Sequence, residues 1–288
     1  MKFQKIGTMK GMQDGAIWGK HLFRFDADGS CLVYDLDAVP GGDTPLEPVA
    51  KFMLDQADKI APHSNAVMFG TEYFAPGDEY PLLYSNLYNN FGVERTDMYG
   101  VCCVYRLERT GDTFQTTLVQ LIKIGFADST ELWYSSDAKD DVRPYGNFAI
   151  DRETGTYYAF IMRDHCNAMR YYSFALPKLS DGAMDETYQV KKVTLTEADV
   201  LDSFDCEYHH YIQGACTHGG KIYSVEGFSS DIPDAIPALR IIDPAKKCQE
   251  QCVIFGDYIP GIEPELIDFR GETCYYSDGH GNFYTIEF

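Results

Sequence analysis

Apolar residues along this chain come in short runs of four to eight, separated by Gly, Pro, Asp and Asn clusters, and the runs fall into five recurring units. Each unit opens on a polar residue that leads directly into an apolar stretch: Asp14 in "DGAIWG", Asn65 in "NAVMFG", Asn147 in "NFAID", Gln213 in "QGACTHG" and Glu265 in "ELIDF". A second strand-like run follows each opener ("KHLFRF", "YPLLYSN", "TYYAFIM", "KIYSV", "TCYYS"), then further β-rich runs. Runs this short, with period-two alternation and turn residues between them, read as strands rather than helices. A repeat of roughly 40 to 60 residues worth four strands is the signature of a β-propeller. The pattern therefore predicts an all-β, five-bladed β-propeller occupying residues 1–288 as one domain.

Blade one reads as "AIWG", "HLFRFD", "CLVYDL" and "VAKFML", and blade two as "AVMFG", "PLLYSN", "YGVCCVYRLER" and "FQTTLVQLIKIGF". Blade three reads as "FAIDRE", "TYYAFIMR", "RYYSFALP" and "YQVKKVTL". Thr196 and the acidic residues after it then predict an N-capped helical turn. Blade four is "ACTHG", "KIYSVEGF", "ALRIIDP" and "QCVIFG". Blade five supplies only "ELIDF", "TCYYSD" and "NFYTIEF", which leaves an open edge, and open edges invite unwanted pairing. The run Phe3 to Met9 is the missing strand, expected to pair with Phe283 to Phe288 and close the ring.

Charge narrows the partners. With 24 Lys and Arg against 44 Asp and Glu, the formal charge is −20. Phosphate backbones and anionic membrane surfaces need clustered cations, so nucleic acid and membrane are not expected partners. No stretch approaches the roughly 18 apolar residues of a membrane span, and "MKFQKIGTMKGMQDG" lacks an apolar leader core. Nine cysteines, an odd number set mostly among Val, Ile and Tyr, read as buried thiols in a reducing compartment. The expected localisation is cytoplasmic.

Residues that start the innermost strands of a propeller crowd around the mouth of its channel. Asp14, Asn65, Asn147, Gln213 and Glu265 are thus expected to form a ring of two carboxylates and three amides, with Gln13, His63, Ser64, Tyr145 and Glu263 around it. Such oxygens suit a hard cation, Ca²⁺ or Mg²⁺. The paired donors and acceptors of Asn and Gln equally match a polyhydroxylated or amide-bearing small molecule. Strand-end capping is the alternative role of the same residues. Asp14 and Glu265, on neighbouring blades, are the candidate catalytic carboxylate pair for glycoside hydrolysis. His63 is the candidate proton carrier, and His209, beside His210 in "CEYHHYIQG", a candidate ligand-binding group. Arg143, in the "RPYGN" run before an inner strand, is a candidate partner for a ligand carboxylate or phosphate. The Cys206, His209, His210 and Cys216 set lacks the paired spacing of a zinc site, and no P-loop, dinucleotide fingerprint or GxSxG elbow is present.

Blade four, "QGACTHGGKIYSVEGF" with "ALRIIDP", resembles one blade of the plant and bacterial five-bladed glutaminyl cyclases, whose repeats carry a QG opener, an LY-type strand and an RI-D-P strand. That resemblance implies a cyclase or transferase acting on a peptide-like substrate. Blade five departs from it, having "EPELIDF" where the family has an NELEW-like strand. The five-bladed arabinanases and fructosidases are similar in blade count, but Asn65 and Asn147 stand where their acids would be. Over most of the chain, "HSNAVMFG", "DEYPLLYSN", "RPYGNFAID" and "EPELIDF" are similar to uncharacterised bacterial propeller proteins, which implies the fold and no activity. The expectation drawn is binding of a small polar molecule or glycan at the channel mouth. An enzyme on a sugar or peptide-like substrate and a scaffold for a protein partner are the alternatives.

Overall fold

A computed structural model describes residues 1–60, 62–87, 98, 100–126, 147–163 and 168–288, with the backbone alone at 163. Five sheets, antiparallel save for one parallel strand added to the second blade, are arranged as the blades of a β-propeller. The chain begins with β1 (Lys2–Thr8), which belongs to the last blade. Blade one follows as β2 (Gly15–Trp18), β3 (His21–Phe25), β4 (Ser30–Asp35) and β5 (Ala50–Met53). Blade two is β6 (Val67–Phe69), β7 (Leu83–Asn86), β8 (Val101–Thr110) and β9 (Thr113–Ile124). Blade three takes β10 (Asn147–Asp151), β11 (Thr156–Arg163) and β12 (Ala168–Ala175), then passes over β13 (Ala183–Asp185) and β14 (Val190–Leu195) to β15 (Asp202–Glu207). Blade four is β16 (Ile212–His218), β17 (Lys221–Glu226), β18 (Ala238–Asp243) and β19 (Cys248–Ile254). Blade five is β20 (Pro264–Arg270), β21 (Thr273–Asp278) and β22 (Asn282–Glu287), completed by β1.

The closure is the one expected from the open edge of blade five. Lys2 pairs with Glu287, Phe3 with Ile286 and Thr8 with Asn282, antiparallel, with a bulge between Lys5 and Gly7. Phe3 then sits among Phe255, Tyr258, Tyr276 and Tyr284, with ring centroids 5.6 to 6.4 Å apart, so the closing strand also seals the seam to blade four.

One strand departs from the expected order. Val190–Leu195, read as the outer strand of blade three, instead runs parallel to β9 and extends blade two, with Lys191 opposite Gln120 and Leu195 opposite Ile124. Its apolar pattern fits either neighbour, and the open outer edge of β9 accepts it. The helical turn expected after Thr196 is present as a 3-10 turn, Glu197–Asp199, whose Asp199 carboxylate accepts from the Thr196 amide at 2.8 Å and hydroxyl at 2.7 Å. That turn reverses the chain and delivers Asp202–Glu207 to the edge of β12.

Packing lies between blades. Inner strands are buried on both sides, so β10 and β20 lose the alternation of a half-exposed strand. At the seam of blades one and two, Phe23, Phe69, Tyr80 and Phe114 interlock edge-to-face, with Phe23 lying 5.5 to 5.6 Å from each of the other three. Each such ring contributes about 1.5–3 kcal/mol of burial. Cys31, Cys102, Cys103, Cys206, Cys216 and Cys274 are buried free thiols, whereas Cys248 and Cys252 are exposed on β19. Among the described residues, no helix is long and apolar enough to cross a membrane.

Candidate functional site

Each inner strand is preceded by its polar opener or carries it among its first two residues, and all five openers are buried: Asp14, Asn65 and Asn147 fully, Glu265 and Gln213 nearly so. Their contacts run between blades. Asn65 Nδ2 of blade two donates to the Ile212 carbonyl of blade four at 3.1 Å. Asn147 Nδ2 of blade three donates to the Gln213 carbonyl. Asp14 Oδ2 of blade one accepts from the Val67 amide of blade two at 2.9 Å. These side chains cross the top of the channel and bind the blades to one another.

The two asparagines are committed on their oxygen side as well. Asn65 Oδ1 accepts from Asn86 Nδ2 at 2.9 Å, and Asn147 Oδ1 accepts from the Phe148 amide at 2.8 Å. Gln213 turns outward and donates to Glu263 Oε1 at 2.6 Å. Gly214 is where backbone and carboxylate come closest: a Cβ there would lie 2.6 Å from Asp14 Oδ1 and collide with the Glu265 carbonyl. Gly214→Ala is therefore expected to cost about 1–3 kcal/mol by overpacking. Urea unfolding measures it, and an unchanged midpoint would contradict this close approach.

Above the buried layer lies a half-exposed one of Gln13, His63 and Glu263. His63 Nε2 donates to Gln13 Oε1 at 3.1 Å, and burial pushes the His63 pKa down, so the ring is neutral near neutral pH. His209 stands further out, its Nδ1 tied to the Ile236 carbonyl at 2.7 Å and its backbone amide to Glu226 Oε1 at 2.9 Å. Glu226 itself pairs with the buried guanidinium of Arg240, so this corner is a structural ion-pair network. Arg143 and Tyr145 lie outside the described residues.

The sequence reading missed Arg24. It sits in β3 directly opposite Gly15, is fully buried, and donates from Nη2 to the Met12 carbonyl at 2.6 Å. Among the described residues its Nε and Nη1 have no hydrogen-bond partner, and neither do Asp14 Oδ1, Glu265 Oε2 or the Tyr276 hydroxyl. Arg24 feels the charges of Glu265 and Asp14 above all, while burial pulls its own pKa down. Burial pushes Asp14 and Glu265 well above the ordinary carboxylate range, and Glu263 adds to the rise at Glu265. Glu263 is raised to about 7, by burial and against its bond from Gln213. The site is thus a cluster of carboxyls with raised pKa around one buried guanidinium, with several polar atoms unpaired among the described residues. Among the described residues no three His, Cys, Asp or Glu side chains gather as a metal set.

Aromatic side chains flank this mouth. Tyr211, two residues before Gln213, holds a positive φ of 65° and stacks obliquely on Phe228 at 5.6 Å, both rings nearly half exposed. Ser229 bridges to Ile262, the neighbour of Glu263, which sets the pair beside the carboxyls.

No family model matches the chain, and no curated protein matches its sequence. Among solved structures it is similar to a glutaminyl cyclase of Myxococcus xanthus, at 10% identity and a TM-score of 0.49, over 100% of this chain and 96% of that one. It is similar also to BamB from Moraxella catarrhalis, at 12% identity and a TM-score of 0.36, over 99% of this chain and 61% of that one. A third is the Dos1 propeller, at 10% identity and a TM-score of 0.35, over 95% of this chain and 57% of that one. The fold of this chain, the five-bladed β-propeller, stands on its own sheet arrangement.

Proposed function

We propose that the opener end of the channel binds a small polar ligand, a polyhydroxylated molecule such as a saccharide fitting it best. The observation that carries the reading is the group of unpaired polar atoms on Asp14, Arg24, Glu265 and Tyr276 below Glu263 and Gln213. Buried polar groups ordinarily find partners, so an unsatisfied set calls for a ligand or ordered water. A neutral carboxyl both donates and accepts, as a hydroxyl does, and the Tyr211–Phe228 pair offers an apolar face to the C–H side of a sugar ring.

A thermal-shift screen of neutral saccharides, polyols and amides, run at about pH 6 and about pH 8, tests this. Glu263 exchanges donor-acceptor for acceptor-only character across its pKa of about 7, so a ligand held by it stabilises more at the lower pH. Glu263→Gln keeps both functions and is expected to remove the pH dependence while retaining the shift, whereas Glu263→Leu abolishes it. Compounds whose shifts ignore both substitutions would count against the site.

A second reading has one observation in its favour. A carboxyl at about 7 beside another pushed higher suits general acid catalysis on a glycosidic or amide bond. Turnover of aryl glycosides or amino-terminal glutaminyl peptides, lost in Glu263→Gln, would establish it.

A further inference from the structure

The far end of the channel has the opposite chemistry. A cavity of about 510 Å³ opens there, lined by Ile17, Trp18 and Gly19 of blade one, Phe269, Arg270 and Gly271 of blade five, and Arg152 of blade three. Among the described residues two guanidiniums line it and no carboxylate does, on a chain of charge −20. Its size falls within the range of small-molecule pockets.

Carboxylates nearby are turned to other partners. Asp268 lies buried beneath and accepts from the Ile17 amide at 2.6 Å and the Phe269 amide at 2.8 Å. Asp37 pairs with Arg270 at 2.7 Å, and Glu272 with His218 at 3.3 Å. Asp151 caps its own turn, accepting from the Glu153 amide at 2.9 Å and the Thr154 hydroxyl at 2.7 Å. That turn carries Arg152, so Asp151 fixes the backbone from which Arg152 reaches across to blade one. Its guanidinium stands 5.4 Å over the Trp18 ring, and Arg152 makes no ion pair among the described residues. The Arg270–Asp37 pair is surface-exposed, the kind that contributes little and exchanges readily.

From this placement we infer a second ligand site at the far mouth, one that takes a small anion with an apolar or aromatic body, an arylcarboxylate or aryl phosphate. The body lies against Trp18, over a floor made by the buried Phe269, on which His218 stacks at 4.1 Å, while Arg152 and Arg270 take the charge, the fork of a guanidinium matching a carboxylate or phosphate. A cation already seated over an indole is preorganised for that role.

The test is calorimetric titration of the intact chain with benzoate, phenylacetate and phenyl phosphate, with benzylamine as the charge-reversed control. At least one anion is expected to bind, benzylamine not to bind, and Arg152→Gln and Arg270→Gln each to weaken binding about tenfold or more. Arg152 is exposed and makes no ion pair among the described residues, but its charge helps hold down the pKa of buried Asp268, so Arg152→Lys, which keeps that charge and loses the fork, is the companion variant, expected to weaken binding while holding the melting temperature. Lys59→Gln removes the same charge from an exposed position and leaves the affinity unchanged. In a Trp133→Phe background Trp18 is the remaining tryptophan, and its emission shifts on binding. The site is overturned if no anion in the panel binds more tightly than about 10 mM. It is equally overturned if benzylamine binds as well, or if Lys59→Gln weakens binding as much as Arg152→Gln.

Discussion

Deletion of residues 1–8 is expected to abolish cooperative folding. The strand β1 holds six residues in register with β22 and places Phe3 against four aromatic rings at the blade four to blade five seam. Ile6 packs on the cluster of Ile17, Leu22 and Phe283 at the blade one side. Partial burial of these side chains contributes on the order of 5 kcal/mol, comparable with the whole stability of a typical chain. The truncated chain also bares the full edge of β22, a template for pairing between molecules. The expected result is a broad thermal transition by circular dichroism and aggregation on size exclusion. A peptide of residues 1–10 added in excess is expected to restore the sharp transition. Phe3→Ala, which keeps the backbone ladder, should lower stability by a few kcal/mol and leave the size-exclusion profile that of the intact protein. A truncated chain that melts cooperatively within a few degrees of the intact one would show that closure comes from elsewhere.

Much of this architecture was legible because it is local. An opener, a short apolar run and a tight turn repeat within each blade, and the shortage of strands in blade five named its own remedy. What was not legible is the choice between two edges. Val190–Leu195 carries the same apolar pattern whether it follows β12 or lies parallel to β9, and the decision rests on pairing across about 70 residues that no local signal encodes.

The site divides the same way. The openers were visible by their position, yet position alone did not say that Asn65 and Asn147 use their amides to tie blades two and three to blade four. Period-two alternation places Arg24 on the face opposite Phe23 and Phe25, which in a half-exposed strand is the solvent side. In a propeller both faces of an inner pair of strands are covered, so the alternate position is as buried as its neighbours. A charged residue inside an otherwise apolar run, paired across to an opener, was the available signal: Arg24 lies opposite Gly15, next to Asp14.

Arg24 is also where stability and site chemistry meet, and Arg24→Leu is expected to cost about 3–4 kcal/mol at about pH 8 and far less at about pH 5. Burial raises the folded-state pKa of Asp14 and Glu265 above their unfolded values, so the folded state binds protons more tightly. For such groups stability is highest at low pH and is lost as pH rises from the unfolded pKa, about 4, through the folded one. Arg24 limits that loss by attracting the ionised forms. Without it both carboxyls keep their protons to higher pH, each further unit adding about 1.4 kcal/mol to the decline. Toward acid the carboxyls are increasingly protonated and Arg24 is itself a buried cation with less compensation, so its removal there forfeits chiefly the bond to Met12. Urea unfolding at about pH 5, 6.5 and 8 separates the cases. A penalty that is equal at all three, or greatest in acid, would mean that Arg24 serves packing alone and that the carboxyls beneath the mouth do not depend on it. Asp14→Asn combined with Arg24→Leu is expected to recover part of the loss at about pH 8, because one of the two groups that ionise more readily in the unfolded chain than in the folded one is gone.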